Sequence, residues 1–86
     1  MIKRIIKRTK VNLNNIESAK KFVEICNYYQ SDINVYSGRY IIDGKSILGI
    51  LSLNLLNPVE VEIASKNDVE SDSFINMMKQ FETKEN

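Results

Sequence analysis

Histidine is missing from this 86-residue sequence, and cysteine occurs once, at Cys26. Without imidazole the chain lacks the commonest general base, the commonest metal ligand and the relay member of a Ser-His-Asp triad. A zinc site would have to rest on carboxylates, a donor set zinc seldom uses. A single cysteine forms no intrachain disulfide, which excludes the stapled framework of small secreted proteins. No apolar run is long enough to span a bilayer, and no signal-peptide pattern is present, so the cytosol is the expected compartment and membrane association is not expected. Excess charge of one sign is absent as well. Twelve Lys and Arg stand against 11 Asp and Glu, and a net charge of +1 creates no bulk field toward nucleic acid or membrane.

What is present fits one small globular domain over residues 1–86, near the lower limit for a core that is stable alone. The 43% apolar content is ordinary. The charge is unevenly spread: Lys3, Arg4, Lys7, Arg8 and Lys10 crowd the first ten residues, and the last twenty lean acidic. No aromatic residue is interleaved with the cations to stack on bases, so the stretch reads as the solvated face of a strand, with a nucleic-acid-binding arm as the lesser alternative.

The segment from Ile2 to Leu13 alternates, with Ile5, Thr9, Val11 and Leu13 on one parity and Lys7 interrupting them, as in a half-buried strand. The period then changes. Ile16, Ala19, Phe22, Val23, Cys26 and Tyr29 recur at three and four, one face of a helix, with Cys26 as a small core residue. Asn14 and Glu17 have the spacing of a capping box, so the helix is expected to start at Asn14 or Asn15 and fade near Tyr29. Two strands flank Ser37-Gly38, where glycine can supply a positive φ. After the Asp43-Gly44 turn, Ser46 is a natural N-cap for a helix through about Leu53, and Asn57-Pro58 closes that region. Val59, Val61 and Ile63 point inward and Glu60 and Glu62 outward on a further strand. A last helix starts between Asp68 and Ser71, carries Phe74, Met78 and Phe81 on one face with Met77 and Met78 as core filler, and frays into the final five residues. The order is β-α-β-β-α-β-α, which predicts an α+β fold: one four-stranded sheet with three helices on one face.

Several stretches resemble the HPr family, the small phosphocarriers of the bacterial sugar phosphotransferase system. They are Lys45-Ser46-Ile47-Leu48-Gly49-Ile50-Leu51-Ser52-Leu53, the run from Ser31 to Val35 before the hairpin, Ser37 to Tyr40 at it, and Val59 to Ile63. The resemblance covers essentially the whole chain and implies that family's open-faced β-sandwich. It also implies where chemistry is missing. The family's phosphorylatable histidine opens the first helix, followed by an alanine, an arginine and a proline. Here Asn15 stands at the histidine position, Glu17 at the arginine and Ser18 at the proline. An amide nitrogen is not nucleophilic, because its lone pair is delocalised into the carbonyl, and Glu17 would repel a phosphoryl group. The chain is therefore expected to be neither an enzyme nor a phosphohistidine carrier, and no cofactor or metal is expected.

Histidine-less relatives of the Crh kind act through a regulatory serine, which a dedicated kinase phosphorylates so that the phosphoprotein binds the catabolite-control repressor. Ser46 stands at that position. It has two compatible readings: an N-cap whose hydroxyl accepts a backbone N–H, or a phosphorylation switch beside an apolar patch. Ile47, Leu48 and Leu51 match the family's exposed docking patch, while Ile50 and Leu53 suit the core. The leading expectation is a regulatory or adaptor protein. Its partners would be an HPr-type serine kinase, a catabolite-control repressor or phosphotransferase-system proteins. The alternative is a structural or interaction domain, as a monomer or a homodimer, that has lost both phosphorylations.

Overall fold

The computed structural model describes residues 3–82. Its elements are β1 (Ile5–Val11), α1 (Ile16–Cys26), β2 (Asp32–Ser37), β3 (Tyr40–Asp43), α2 (Ile47–Leu51), β4 (Val59–Ser65) and α3 (Asp68–Met78), followed by a 3-10 turn at Lys79–Phe81. The four strands form one antiparallel sheet in the order β1-β4-β2-β3. The central strand β4 thus pairs with β1, the first in sequence, and with β2. Residues 1–2 and 83–86 lie outside the described residues, so the expected strand is followed only from Lys3 and the expected fraying of the last helix only to Glu82.

Alternation decides which face of the sheet is covered. Val11, Ile33, Val35, Val59, Val61 and Ile63 point to the helix side and are buried with Phe22 and Val23 of α1, Ile50 of α2, and Phe74 and Met78 of α3. α3 packs on β1 and β4, α2 on β3, and α1 against α2. Two edge-to-face aromatic pairs tie the helical layer together, Phe22 of α1 with Phe81 at 5.9 Å and Tyr29 with Phe74 of α3 at 5.2 Å. Lys7, the interruption in β1, faces the helices too. It hydrogen-bonds Asp72 and lies 3.6 Å from Asp68, so a cation on the inner parity is neutralised by α3. Among the described residues no helix is long and apolar enough to cross a membrane.

Local signals set the helix ends. Asn15 caps α1, its Oδ1 accepting the Ser18 N–H at 2.8 Å, and Asn67 caps α3 by accepting from Val69 and Glu70. The capping-box reading of Asn14 and Glu17 is corrected: the cap is one residue later. Asn14 instead turns the chain with φ 50, a left-handed conformation that asparagine tolerates. Gly38 has φ 60 in the hairpin turn, where a Cβ would be strained.

Other expectations are corrected by what covers each residue. Ile16, on the predicted inner face of α1, is 58% exposed, whereas Ile25, off that pattern, is buried. Met78 is core, but Met77 points outward. α2 ends at Leu51 rather than about Leu53: the Leu53 N–H reaches back only three residues to the Ile50 carbonyl at 3.1 Å, a tightened last turn, and the Ser52 hydroxyl donates to the Gly49 carbonyl at 2.6 Å. Cys26 is fully buried, and its burial pushes the thiol up to about 12, so it is protonated at neutral pH.

Candidate functional site

Two places carry the residues that the sequence singles out, and a third gathers polar side chains on the open face of the sheet. The first is the start of α1. Asn15 is exposed at the helix N-terminus, with its carbonyl oxygen committed to Ser18. Ile16 and Glu17 beside it are exposed as well. The dipole of α1 and its free N–H groups favour an anion here, and Glu17 supplies one.

The second place is α2. Ser46 is its N-cap and half-buried, and its Oγ accepts the Gly49 N–H at 3.2 Å. Gly49 is needed at this point. A Cβ on it would come within 2.7 Å of Ile42 Cγ2 and 3.3 Å of Ser46 Oγ, so only glycine lets the helix lie this close to β3. Asp43 Oδ1 accepts the Lys45 N–H at 2.9 Å, and the Asp43 carbonyl accepts from Ser46 N–H at 3.0 Å. Of the apolar neighbours, Leu48 is 80% exposed and Ile47 is exposed, whereas Leu51 is partly buried against the core. Ile50 is fully buried and Leu53 partly so. The expected patch is therefore carried by Ile47 and Leu48, with Leu51 contributing less.

The first two places are not brought together. The Asn27 side-chain amide, at the C-terminal end of α1, donates to the Lys45 carbonyl at 3.2 Å. Ser46 thus sits beside the far end of α1 from Asn15, a helix about 16 Å long. That exceeds the Debye length of ~8 Å at physiological salt, so within one chain Glu17 does not act directly on a charge at Ser46.

The third place was missed in the sequence. On the open side of the sheet, strand register sets Arg8, Glu62, Asn34 and Asp43 in one row and Lys10, Glu60, Tyr36 and Ile41 in the next. Glu62, read from the sequence as an outward, solvated residue, is only 6% exposed. It accepts from Arg8 Nε at 2.9 Å, Tyr36 OH at 3.1 Å and Asn34 Nδ2 at 3.3 Å. Arg8 also reaches Glu60 at 3.1 Å and lies 4.9 Å over the Tyr36 ring. Arg4 pairs with Asp32 at 2.7 Å. Three of the five N-terminal cations, Arg4, Lys7 and Arg8, are thus ion-paired within the fold, which removes most of the field that a nucleic-acid arm would need. A signal was available: the cations on β1 and the acids on β4 share parity in two strands that pair.

Burial pushes the Glu62 carboxyl up, but the hydrogen bonds from Arg8, Asn34 and Tyr36 together outweigh it and hold the group below its ordinary 4.5. Glu70 is held below the same value by hydrogen bonds from Ser31 and Ser65, with the Gln30 N–H adding a third. A depressed folded-state pKa contributes stability that is present above the unfolded value and lost as pH falls through the folded one. Urea midpoints are therefore expected to be level at neutral pH and to fall below about pH 4.5. The double variant Glu62→Gln/Glu70→Gln should fall less steeply; an equally steep fall would place the acid sensitivity elsewhere.

The family model described as the PTS HPr component phosphorylation site matches residues 8–83. The chain belongs to the HPr family. Members of that family are phosphocarriers of the phosphotransferase system rather than catalysts. No curated protein matches the chain. Among solved structures, HPr-C-His from Thermoanaerobacter tengcongensis is 22% identical, with 86% of this chain and 92% of that one covered and a TM-score of 0.63. The phosphocarrier protein HPr from Bacillus anthracis str. Ames is 21% identical, with 92% and 98% covered and a TM-score of 0.70. Both share the fold, the four-stranded antiparallel sheet and three helices of the HPr open-faced β-sandwich.

Proposed function

We propose that this HPr-family chain is a regulatory or adaptor protein that does not carry phosphohistidine and is switched at Ser46. The observation behind the first half is that Asn15, at the phosphohistidine position, uses its side-chain oxygen to cap α1, in a chain without histidine. The second half rests on Ser46 as the N-cap of α2, beside exposed Ile47 and Leu48. A phosphoserine there adds roughly two negative charges at a helix start, where backbone N–H groups favour an anion. The dianion beside apolar side chains would mark the surface for a partner. The partners proposed are an HPr-type serine kinase and a catabolite-control repressor or phosphotransferase-system protein, in the cytosol.

Incubation with ATP and a kinase specific for HPr serine is expected to place one phosphate on Ser46, located by mass spectrometry, and to leave the amide spectrum of the sheet unchanged. Stability should change by no more than about 1 kcal/mol, the scale of a cap or helix-dipole contact. Modification at Ser73, or none at Ser46, would leave the serine a cap alone. The second reading, an interaction domain without either phosphorylation, is favoured by Asp43, whose carboxylate accepts the Lys45 N–H next to Ser46 and would oppose a phosphoserine there.

A further inference from the structure

We propose that the free edge of β3 joins two copies of this chain, strand to strand, in a dimer centred on Ile41. The sheet has two edges, β1 and β3. A bare edge offers unpaired N–H and C=O groups, and proteins normally guard it with charge. β1 is guarded: Lys7, Arg8 and Lys10 lie on it, and Lys10 has no ion-pair partner among the described residues. β3 carries no lysine or arginine, and its one charge is Asp43 at the end of the strand. Its four residues are Tyr40, Ile41, Ile42 and Asp43, with Tyr40 65% and Ile41 63% exposed. Gly49 of α2 meets the Ile42 side chain on the helix side, so α2 packs behind the strand.

The hydrogen-bond phase of the hairpin selects the register. The Gly44 N–H donates to the Ile33 carbonyl at 2.8 Å. Bonded and non-bonded pairs alternate along an antiparallel ladder. Val35 with Ile42 and Ser37 with Tyr40 are then bonded pairs, whereas Tyr36 with Ile41 and Asn34 with Asp43 are not. Ile41 and Asp43 therefore direct their backbone groups to the free edge. An added antiparallel copy must match outward residues with outward residues. Centred on Ile41, it sets Ile41 against Ile41 of the partner subunit and Tyr40 against Ile42 of the partner subunit. It also brings Arg39, in the hairpin turn just before β3, toward Asp43 of the partner subunit, once at each end. Neither Arg39 nor Asp43 has an ion-pair partner within the chain among the described residues. The edge is thus complementary to its own copy in charge and in backbone phase.

Sedimentation equilibrium tests this. The average mass is expected to rise from that of one chain, 9.9 kDa, toward two chains as concentration climbs, within a range up to about 1 mM suited to a small interface. Ile41→Lys, which gives β3 the kind of guard that β1 has, should raise the dissociation constant at least about thirtyfold. Leu48→Glu should leave it unchanged. Arg39→Glu alone sets two carboxylates together at each end, and Asp43→Arg alone sets two guanidinium groups together, so each variant should weaken association. An equimolar mixture of the two variants should associate again. In the mixed dimer one end pairs the two introduced side chains and the other pairs the two native ones, and both pairs are of opposite charge. Amide spectra establish that each variant is folded. A wild type that stays at the mass of one chain overturns the proposal. So does a dimer lost with Leu48→Glu but kept in Ile41→Lys, or a mixture that associates no better than its parts.

Discussion

Phosphoryl transfer from phosphoenolpyruvate through the family's first enzyme is expected to leave no label on this chain, a low level on Asn15→His, and about tenfold more on Asn15→His/Glu17→Arg. The single substitution supplies a nucleophilic ring nitrogen at the start of α1. It also removes the Asn15 oxygen that accepts the Ser18 N–H at 2.8 Å, a cap worth about 1 kcal/mol. A neutral imidazole has one lone-pair nitrogen, so accepting that N–H and attacking the phosphoryl group compete for the same atom, and the other ring nitrogen keeps its proton. The N-terminus of α1 favours the incoming anion by roughly 0.3–1 kcal/mol. Glu17 opposes it. The carboxylate is exposed in the first turn of the same helix, two residues on, and no ion pair neutralises it among the described residues. Exchanging it for arginine removes a repulsion and adds an attraction, and about 1.4 kcal/mol of combined change is a factor of ten. Radiolabel counted on wild type, single and double variants checks all three levels. Label on the wild type would overturn the claim that nothing here replaces histidine. Equal label on the two variants would mean that solvent screens Glu17 from the ring.

Phe22→Ala is expected to cost about 3–5 kcal/mol, while Ile16→Ala on the same helix changes stability by no more than about 0.5 kcal/mol. Phe22 is fully buried, with its ring edge-on to Phe81. Truncation loses the transfer free energy of the ring and leaves a cavity that α1 and the sheet cannot close without moving. Against a total of only about 5–15 kcal/mol for a native domain, such a loss brings so small a protein close to unfolding. Ile16 already contacts water in the folded state, so its truncation removes little buried surface. Urea denaturation of the two variants, with equal m-values, measures both. A large cost at Ile16 would show that its side chain is covered, as the helical pattern alone suggests.

The pair of substitutions illustrates what was legible in the chain. Alternation from Ile5 to Val11 and from Val59 to Ile63, the three-four spacing of Ala19, Phe22, Val23 and Cys26, and the turn at Gly38 are local properties. Each depends on the period of its own element and on the preferences of its own backbone, so sequence alone sufficed to place the four strands and three helices and to make Ser46 a cap. The absence of histidine and the amide at position 15 are equally local: chemistry that needs an imidazole is decided by composition before any fold exists.

Burial and pairing between elements were not local. Ile16 and Ile25 both depart from the helical pattern in the folded molecule. Ile25 is buried near the end of α1 where Asn27 holds Lys45 and α2 packs, and Ile16 is left open at the other end. Glu62 alternates as a solvated residue should. It is covered only because β4 lies between β1 and β2, which brings Arg8, Asn34 and Tyr36 from distant parts of the chain onto one carboxylate. Strand order likewise made β3 an edge, and the packing of α2 beside the C-terminal end of α1 set Ser46 apart from Asn15. A residue's own side chain and its near neighbours set which element it joins. Which side of that element meets water depends on what the rest of the chain lays against it, and that is a property of the assembled fold.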